Sequence, residues 1–193
     1  MNEARFHNVA LLTSPGRVMT PRRATEALVD AALTELGDAP ARVADVGTGS
    51  GAIAVTLALL APRIHVWATD VSPAAVELTR RNTARHGLEG RVQVVQGDLL
   101  GEVPPPIDLV VANLPYLPAR LSAAYPEYAA EPADAIFAAA DGLGPYRRLV
   151  AQARRRLAPD GAVLVQYRGS VVRAEHEELD QLEERLTSFA RAA

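Results

Sequence analysis

Val43-Ala44-Asp45-Val46-Gly47-Thr48-Gly49-Ser50-Gly51, followed by the apolar run Ala52 to Leu60, decides how this chain is read. A short apolar strand carries an acidic residue, glycine then takes every second position, and a helix opens directly behind. Alternating glycines suit a backbone that must turn tightly and let a ligand approach with no Cβ in the way. The helix turns its free N–H groups and positive dipole end towards the same ligand. This is the pattern of a nucleotide-type site. The dinucleotide fingerprint is spaced G-x-G-x-x-G, whereas these glycines stand at 47, 49 and 51 with Asp45 two residues before the first. Taken alone, the run leaves a dehydrogenase or an ordinary strand-to-helix turn open.

Outward from this stretch, strand and helix signals alternate. Ile64 to Thr69 reads as a second strand ending at Asp70, with Val71 beside it, 25 residues after Asp45. An acidic residue there is placed to grip a ribose diol. Ser72-Pro73 supplies the cap of the next helix, which runs to Gly87. Arg91 to Gln96 alternates into a third strand followed by Gly97-Asp98-Leu99, where Asp98 can accept from an adenine amino group while Leu99 packs on the ring. Ile107 to Ala112 is a continuous apolar strand of the kind buried in parallel sheets, and it ends in Asn113-Leu114-Pro115-Tyr116. Ala162 to Tyr167 gives a fifth strand. Strands alternating with helices, without repeat or linker, predict an α/β fold: an open, doubly wound, mostly parallel sheet. The ligand groups all fall at carboxyl ends of strands, where such sheets bind.

The flanks are less informative. Residues 1–20 show no clear periodicity and read as a lead-in lying on a single domain that spans residues 21–193. Thr20-Pro21 reads as a helix start and Gly37 as its end. The segment 117 to 145, rich in alanine and proline, is expected to form part of a substrate wall. Everything after Gln166 reads as one amphipathic helix, with Leu179, Leu182, Leu186 and Phe189 on its apolar face.

Composition narrows the chemistry. With 193 residues, 49% of them hydrophobic and 22% charged, the chain can bury one sizeable core. No apolar run approaches the roughly 20 residues that cross a bilayer, and the first residues lack a signal-peptide core, so a cytoplasmic location is expected. Without cysteine there are no disulfides, thiolate metal sites or cysteine nucleophiles. The four histidines have no ligand spacing, so no metal is expected. A net charge of −3 gives no broad attraction for nucleic acid.

The glycine spacing resembles the S-adenosylmethionine (SAM) site of Rossmann-like methyltransferases. More specifically, the chain from about Val18 to Val165 resembles the HemK/PrmC family of protein-glutamine N5-methyltransferases. The resemblance is carried by Pro21-Arg22-x-x-Thr25-Glu26, Asp45-Val46-Gly47-Thr48-Gly49-Ser50-Gly51-Ala52-Ile53-Ala54 and Asp70-x-Ser72-x-x-Ala75. It continues through Gly97-Asp98-Leu99, Asn113-x-Pro115-Tyr116, Glu131-Pro132, Asp141-Gly142-Leu143, Tyr146-Arg147 and Leu157-x-Pro159-x-Gly161. It implies a SAM-dependent methyltransferase fold, SAM as cofactor and a protein substrate such as a peptide chain release factor. Asp45, Gly47, Thr48, Gly49, Gly51, Asp70, Val71, Asp98, Leu99 and Asn113 become the expected cofactor contacts. Asn113, Pro115 and Tyr116 become the expected catalytic group. The Asn113 side-chain oxygen and the Pro115 carbonyl would accept the two N–H bonds of a planar NH₂ group, with Tyr116 packed against it.

The chain departs from the family at four points. Leu114 replaces the first proline of Asn-Pro-Pro-Tyr, and Asn-Leu-Pro-Tyr looks like the version in ribosomal RNA adenine dimethyltransferases. Gln166 and Tyr167 stand where the family usually has a glutamate in strand five. The N-terminal helical docking domain has no counterpart here, and the antiparallel strand pair that ends the family sheet is not visible in the sequence. A missing pair would leave strand five as an exposed edge, inviting homodimerisation. An N6-adenine methyltransferase acting on RNA or DNA, and a SAM-binding module without turnover, therefore remain as alternatives.

Overall fold

A computed structural model of the chain describes residues 2–138 and 141–191. Residues 139 and 140 of the expected wall, and residues 192 and 193 of the expected domain, lie outside the described residues. The chain opens with β1 (Asn2–Phe6) and β2 (Val9–Thr13), then a 3₁₀ turn (Arg23–Thr25) leads into α1 (Glu26–Leu36). β3 (Ala41–Val46), α2 (Ala52–Leu60), β4 (Ile64–Asp70), α3 (Pro73–Arg85), β5 (Val92–Gln96) and β6 (Ile107–Ala112) follow. The next stretch holds β7 (Leu117–Pro118), two 3₁₀ turns, α4 (Ala133–Ile136) and β8 (Phe137–Ala138). α5 (Gly144–Ala153), β9 (Leu157–Tyr167), β10 (Ser170–Glu175) and α6 (Leu179–Arg191) complete it.

The central sheet has the order β10-β9-β6-β3-β4-β5. All neighbours are parallel except β10, which runs antiparallel to β9. Both faces are covered, and the strands show it in their side chains. Val43, Leu109, Val111, Ala162 and Leu164 join the core under α1 and α2, while Ala44, Val46, Val110, Ala112, Val163 and Val165 join the core under α5 and α6. Successive residues point to opposite faces, so strands buried on both sides need apolar residues throughout. From β3 the chain winds outward through β4 and β5, then returns to β6 and winds the other way through β9. The reversal lies between β3 and β6, which is where an open α/β sheet leaves its ligand crevice.

Three expectations need correction. Residues 2–13 are a hairpin: His7 and Asn8 take positive φ (49° and 64°), the conformation of a two-residue turn. Its register hides in the sequence because only Phe6, Leu11 and Thr13 turn inward. The Asn82 side chain replaces a missing sheet partner, accepting from Leu12 N–H and donating to the Leu12 carbonyl. The helical path begins with the 3₁₀ turn at Arg23 and not at Thr20, because the chain is still extended at Arg22 (φ −116°, ψ 140°); Thr20 N–H is engaged by Glu131 Oε2 at 3.1 Å. Finally, the residues after Gln166 are not all helix. Arg168 and Gly169 turn the chain with positive φ (49° and 81°), and Ser170–Glu175 returns along β9 with Val172 and Ala174 buried. One antiparallel strand is therefore present. Strand five has partners on both sides, so its edge gives no basis for dimerisation.

Candidate functional site

The glycine loop is shaped by its backbone. Gly47, Gly49 and Gly51 all have positive φ (73°, 59° and 79°), which side chains disfavour. The N–H groups of Gly47 and Thr48 both reach the Thr69 carbonyl at 2.9 Å, stitching the loop to the end of β4. Asp45 lies underneath. Its Oδ2 accepts from the Thr48 hydroxyl at 2.7 Å and from Ala54 N–H at 3.0 Å, tying the loop to the first turn of α2. The residue is 0% exposed, and burial pushes its carboxyl up to about 7 against the Thr48 and Ala54 bonds.

Asp70 joins the loop from the side. One oxygen accepts from Gly49 N–H at 2.9 Å and the other from Ser72 N–H at 2.9 Å. A carboxylate has about four lone-pair sites, so capacity remains for a ligand hydroxyl. Burial raises its pKa from the usual carboxylate value. Across the switch point, Asn113 leaves the tip of β6 and its Nδ2 donates to Thr25 Oγ1 at 3.0 Å. The Leu114 carbonyl accepts from the buried Tyr146 hydroxyl at 2.9 Å, which also lies 2.8 Å from the Gln166 carbonyl. Gly142, at φ 84°, presses on the same turn from below: a Cβ there would overlap the Tyr116 carbonyl oxygen. Asp141 caps this approach by accepting from Leu143 N–H and pairing with Arg147, whose guanidinium holds its pKa below the ordinary range.

Between the two loops lies a cavity of about 750 Å³, within the range typical of small-molecule sites. Of the residues expected at the cofactor and catalytic sites, Gly47, Thr48, Gly49, Asp70, Val71, Asp98, Leu99, Asn113 and Pro115 line it. Three of the expected residues are not on the lining. Asp45 is sealed beneath the loop and acts as its internal clamp. Gly51 faces α3, where a Cβ would come within 2.8 Å of Thr79 Cγ2. Tyr116 turns its ring to Tyr167, with centroids 5.3 Å apart, so it supports the tetrapeptide from behind. Asp98 is paired with Arg148 at 2.9 Å, and Leu99 takes φ 56° with its carbonyl accepting from the Thr69 hydroxyl.

The structure adds residues to which sequence reasoning gave no role. Thr25, Arg22, Leu114 and Asp134 also line the cavity. Leu114 packs against the glycine loop from the adjacent strand tip: a Cβ on Gly47 would lie 2.8 Å from Leu114 Cδ2. Arg22 sits 4.5 Å over the Tyr128 ring, and Glu131 takes Thr20 N–H, so the segment after β7 is strapped to the turn before α1. Pro132, Ala135, Phe137 and Ala138 of that segment line the cavity as well, where a wall was expected. The signal for Thr25, Gly142 and Tyr146 lay in the quoted motifs, but spacing along the chain could not say what they touch.

These residues suit a SAM ligand. The side-chain-free face of the loop at Gly49, where a Cβ would meet only Val18 Cγ1 at 4.0 Å, leaves room for close approach, and a carboxylate with spare acceptor capacity stands at the next strand tip. Among the described residues no group of histidine, aspartate and glutamate could hold a metal ion, and no helix is long and apolar enough to cross a membrane.

Comparison with known proteins agrees. The chain is 46% identical over 158 residues to the release factor glutamine methyltransferase of Deinococcus radiodurans, covering 80% of this chain and 56% of that protein. It is 39% identical over 170 residues to the release factor glutamine methyltransferase of Gloeobacter violaceus, covering 86% and 59%. The chain thus spans less than two thirds of the length of these relatives. The fold resembles a ribosomal protein L11 methylase from Lactobacillus delbrueckii subsp. bulgaricus, with TM-score 0.54 and 24% identity over 88% of this chain and 69% of that one. Residues 21–125 match the family model described as methyltransferase small domain. With this match over more than half its length, and with the fold and loop geometry above, the chain belongs to the methyltransferase small domain family of Rossmann-like, SAM-dependent methyltransferases.

Proposed function

We propose that this chain methylates the side-chain amide nitrogen of a glutamine in a peptide chain release factor. The observation that carries the reading is the placement of Asn113 and Pro115 on the wall of the same cavity as the glycine loop, on the opposite side of the switch point. The names of the relatives supply the substrate class. SAM, when bound, supplies a methyl group already activated by its sulfonium, so the protein's task is alignment. Holding reactants in line can supply roughly 7–11 kcal/mol of the barrier. Asn113 Oδ1 and the Pro115 carbonyl accept the two amide N–H bonds and aim the nitrogen lone pair at the methyl carbon. SAM held at the loop would supply the methyl to that nitrogen and depart as the demethylated thioether, and one amide proton would pass to water. Tyr116 acts indirectly, through its packing on Tyr167. The reading places the chain in the cytoplasm with its substrate.

Leu114 favours a second reading, since Asn-Leu-Pro-Tyr also suits an adenine amino group, another planar NH₂. Against it, two arginines at the cavity, Arg147 and Arg148, are already paired with Asp141 and Asp98, and the chain is acidic overall. The test is to incubate the purified chain with SAM and either unmodified release factor or RNA, and to locate new methyl groups by mass spectrometry. Methylation of a release-factor glutamine is expected. Transfer to adenine alone would replace this reading with the second. Asn113→Ala should abolish transfer by roughly a hundredfold or more while SAM affinity by calorimetry stays near the wild-type value.

A further inference from the structure

We propose that Thr25 is a positioning residue that presents Asn113 to the methyl acceptor, and that Gln166 holds Thr25 in place to do so. This rests on the acceptor role given to Asn113 above. An asparagine amide has one accepting end and one donating end of nearly equal shape. Only the accepting end can bind an incoming NH₂ group; the donating end would meet it N–H to N–H. Thr25 Oγ1 accepts from Asn113 Nδ2 at 3.0 Å, and among the described residues Oδ1 is the end left without a protein hydrogen bond.

Thr25 is itself fixed from the sheet. It closes the 3₁₀ turn Arg23–Thr25, and the Ala24 carbonyl in that turn accepts from Gln166 Nε2 at 2.7 Å. Gln166 lies on β9, next to the β6 strand that ends at Asn113, so the two contacting residues are carried by neighbouring strands. Gln166 is 4% exposed, and its Oε1 is buried with no hydrogen-bond partner among the described residues. An unmade bond of that kind is costly, so the amide is kept at this position for its donating end. A glutamate here would set a carboxylate against the Ala24 carbonyl with no proton to share. The departure at Gln166 is thus a different way of anchoring the turn that carries Thr25, and the catalytic arrangement is retained.

The test compares Thr25→Val, which keeps the shape and removes the hydroxyl, with Thr25→Ser, which keeps the hydroxyl. With release factor as substrate, Thr25→Val is expected to lower kcat on the order of tenfold, the loss of about one hydrogen bond to a reacting group, with SAM affinity unchanged. Thr25→Ser should restore most of the rate, and Gln166→Glu should lower kcat in the same sense as Thr25→Val. Wild-type kcat in Thr25→Val, an equal loss in Thr25→Ser, or a parallel loss of SAM affinity would overturn the assignment. A second measurement needs no turnover. The side-chain amide resonances of Asn113, identified by their absence in Asn113→Ala, should shift and exchange faster with water in Thr25→Val but not in Thr25→Ser. Unmoved resonances would overturn the proposal even if the release-factor reading holds. Should the wild-type chain fail to methylate the release factor, that reading falls, and the resonances alone decide the role of Thr25.

Discussion

The glycine loop and the Asn113 tetrapeptide face each other across one cavity, but they are held by different kinds of contact. The loop is secured by one continuous stretch of chain: Asp45 bonds to residues three and nine positions on, Asp70 reaches back 21 positions to Gly49, and Thr79 and Asn82 of α3 reach back 30 and 32 positions to the Gly49 and Ser50 carbonyls. The tetrapeptide is secured by segments on both sides of it in the chain. Thr25 lies 88 positions from Asn113, and Tyr146 lies 32 from Leu114. The donor side is consequently a local motif that one stretch of chain can carry. The acceptor side exists only when the first helix, the fifth helix and the sheet have all docked.

That contrast can be broken most severely at Gly142. Gly142→Ala drives a Cβ into the Tyr116 backbone, which cannot swing aside as a side chain would. Single-turnover transfer should fall by roughly a hundredfold while calorimetry still finds SAM bound at the glycine loop. Transfer at the wild-type rate would show that the tetrapeptide is not held from below. A smaller effect is expected on the opposite side. Asp70→Ala removes the acceptor for Gly49 N–H and the candidate ribose partner, and should weaken SAM binding by about tenfold. At saturating SAM the rate should recover, and an unaltered affinity would remove Asp70 from the donor site.

The smallest effect concerns Asp45 and pH. Burial raises its carboxyl from 3.8 to about 7 in the folded chain. Between those values the folded chain keeps a proton that the unfolded chain releases, so this group's contribution to stability falls as pH rises through the window. Urea midpoints taken at about pH 5 and about pH 8 should therefore decline less in Asp45→Asn than in the wild type. Equal declines in both would mean that the buried carboxyl is not the titrating group.

The same contrast explains what could be read without the structure. The tips of β3, β4, β5 and β6 were legible because each combines an apolar strand with a polar residue at its end, and parallel topology gathers such ends on one rim. Asp45 was misplaced because a strand-end position does not say whether a side chain points into the crevice or under the loop. Tyr116 was misplaced because its partner Tyr167 lies on another strand, and pairing between rings leaves no periodic trace. The first hairpin and β10 were missed for a simpler reason. Each is short and half-buried, and its two-residue turn, His7-Asn8 or Arg168-Gly169, lacks the Asn-Gly or Asp-Gly pair that marks a hairpin in sequence.

The contact between Leu114 and the place a Cβ would occupy on Gly47 makes those two positions a single steric unit. A Cβ at position 47 would meet both the Leu114 side chain and the strain of a positive φ. Gly47→Ala should therefore be harmful even when Leu114 is trimmed to alanine, because removing the clash leaves the backbone strain in place.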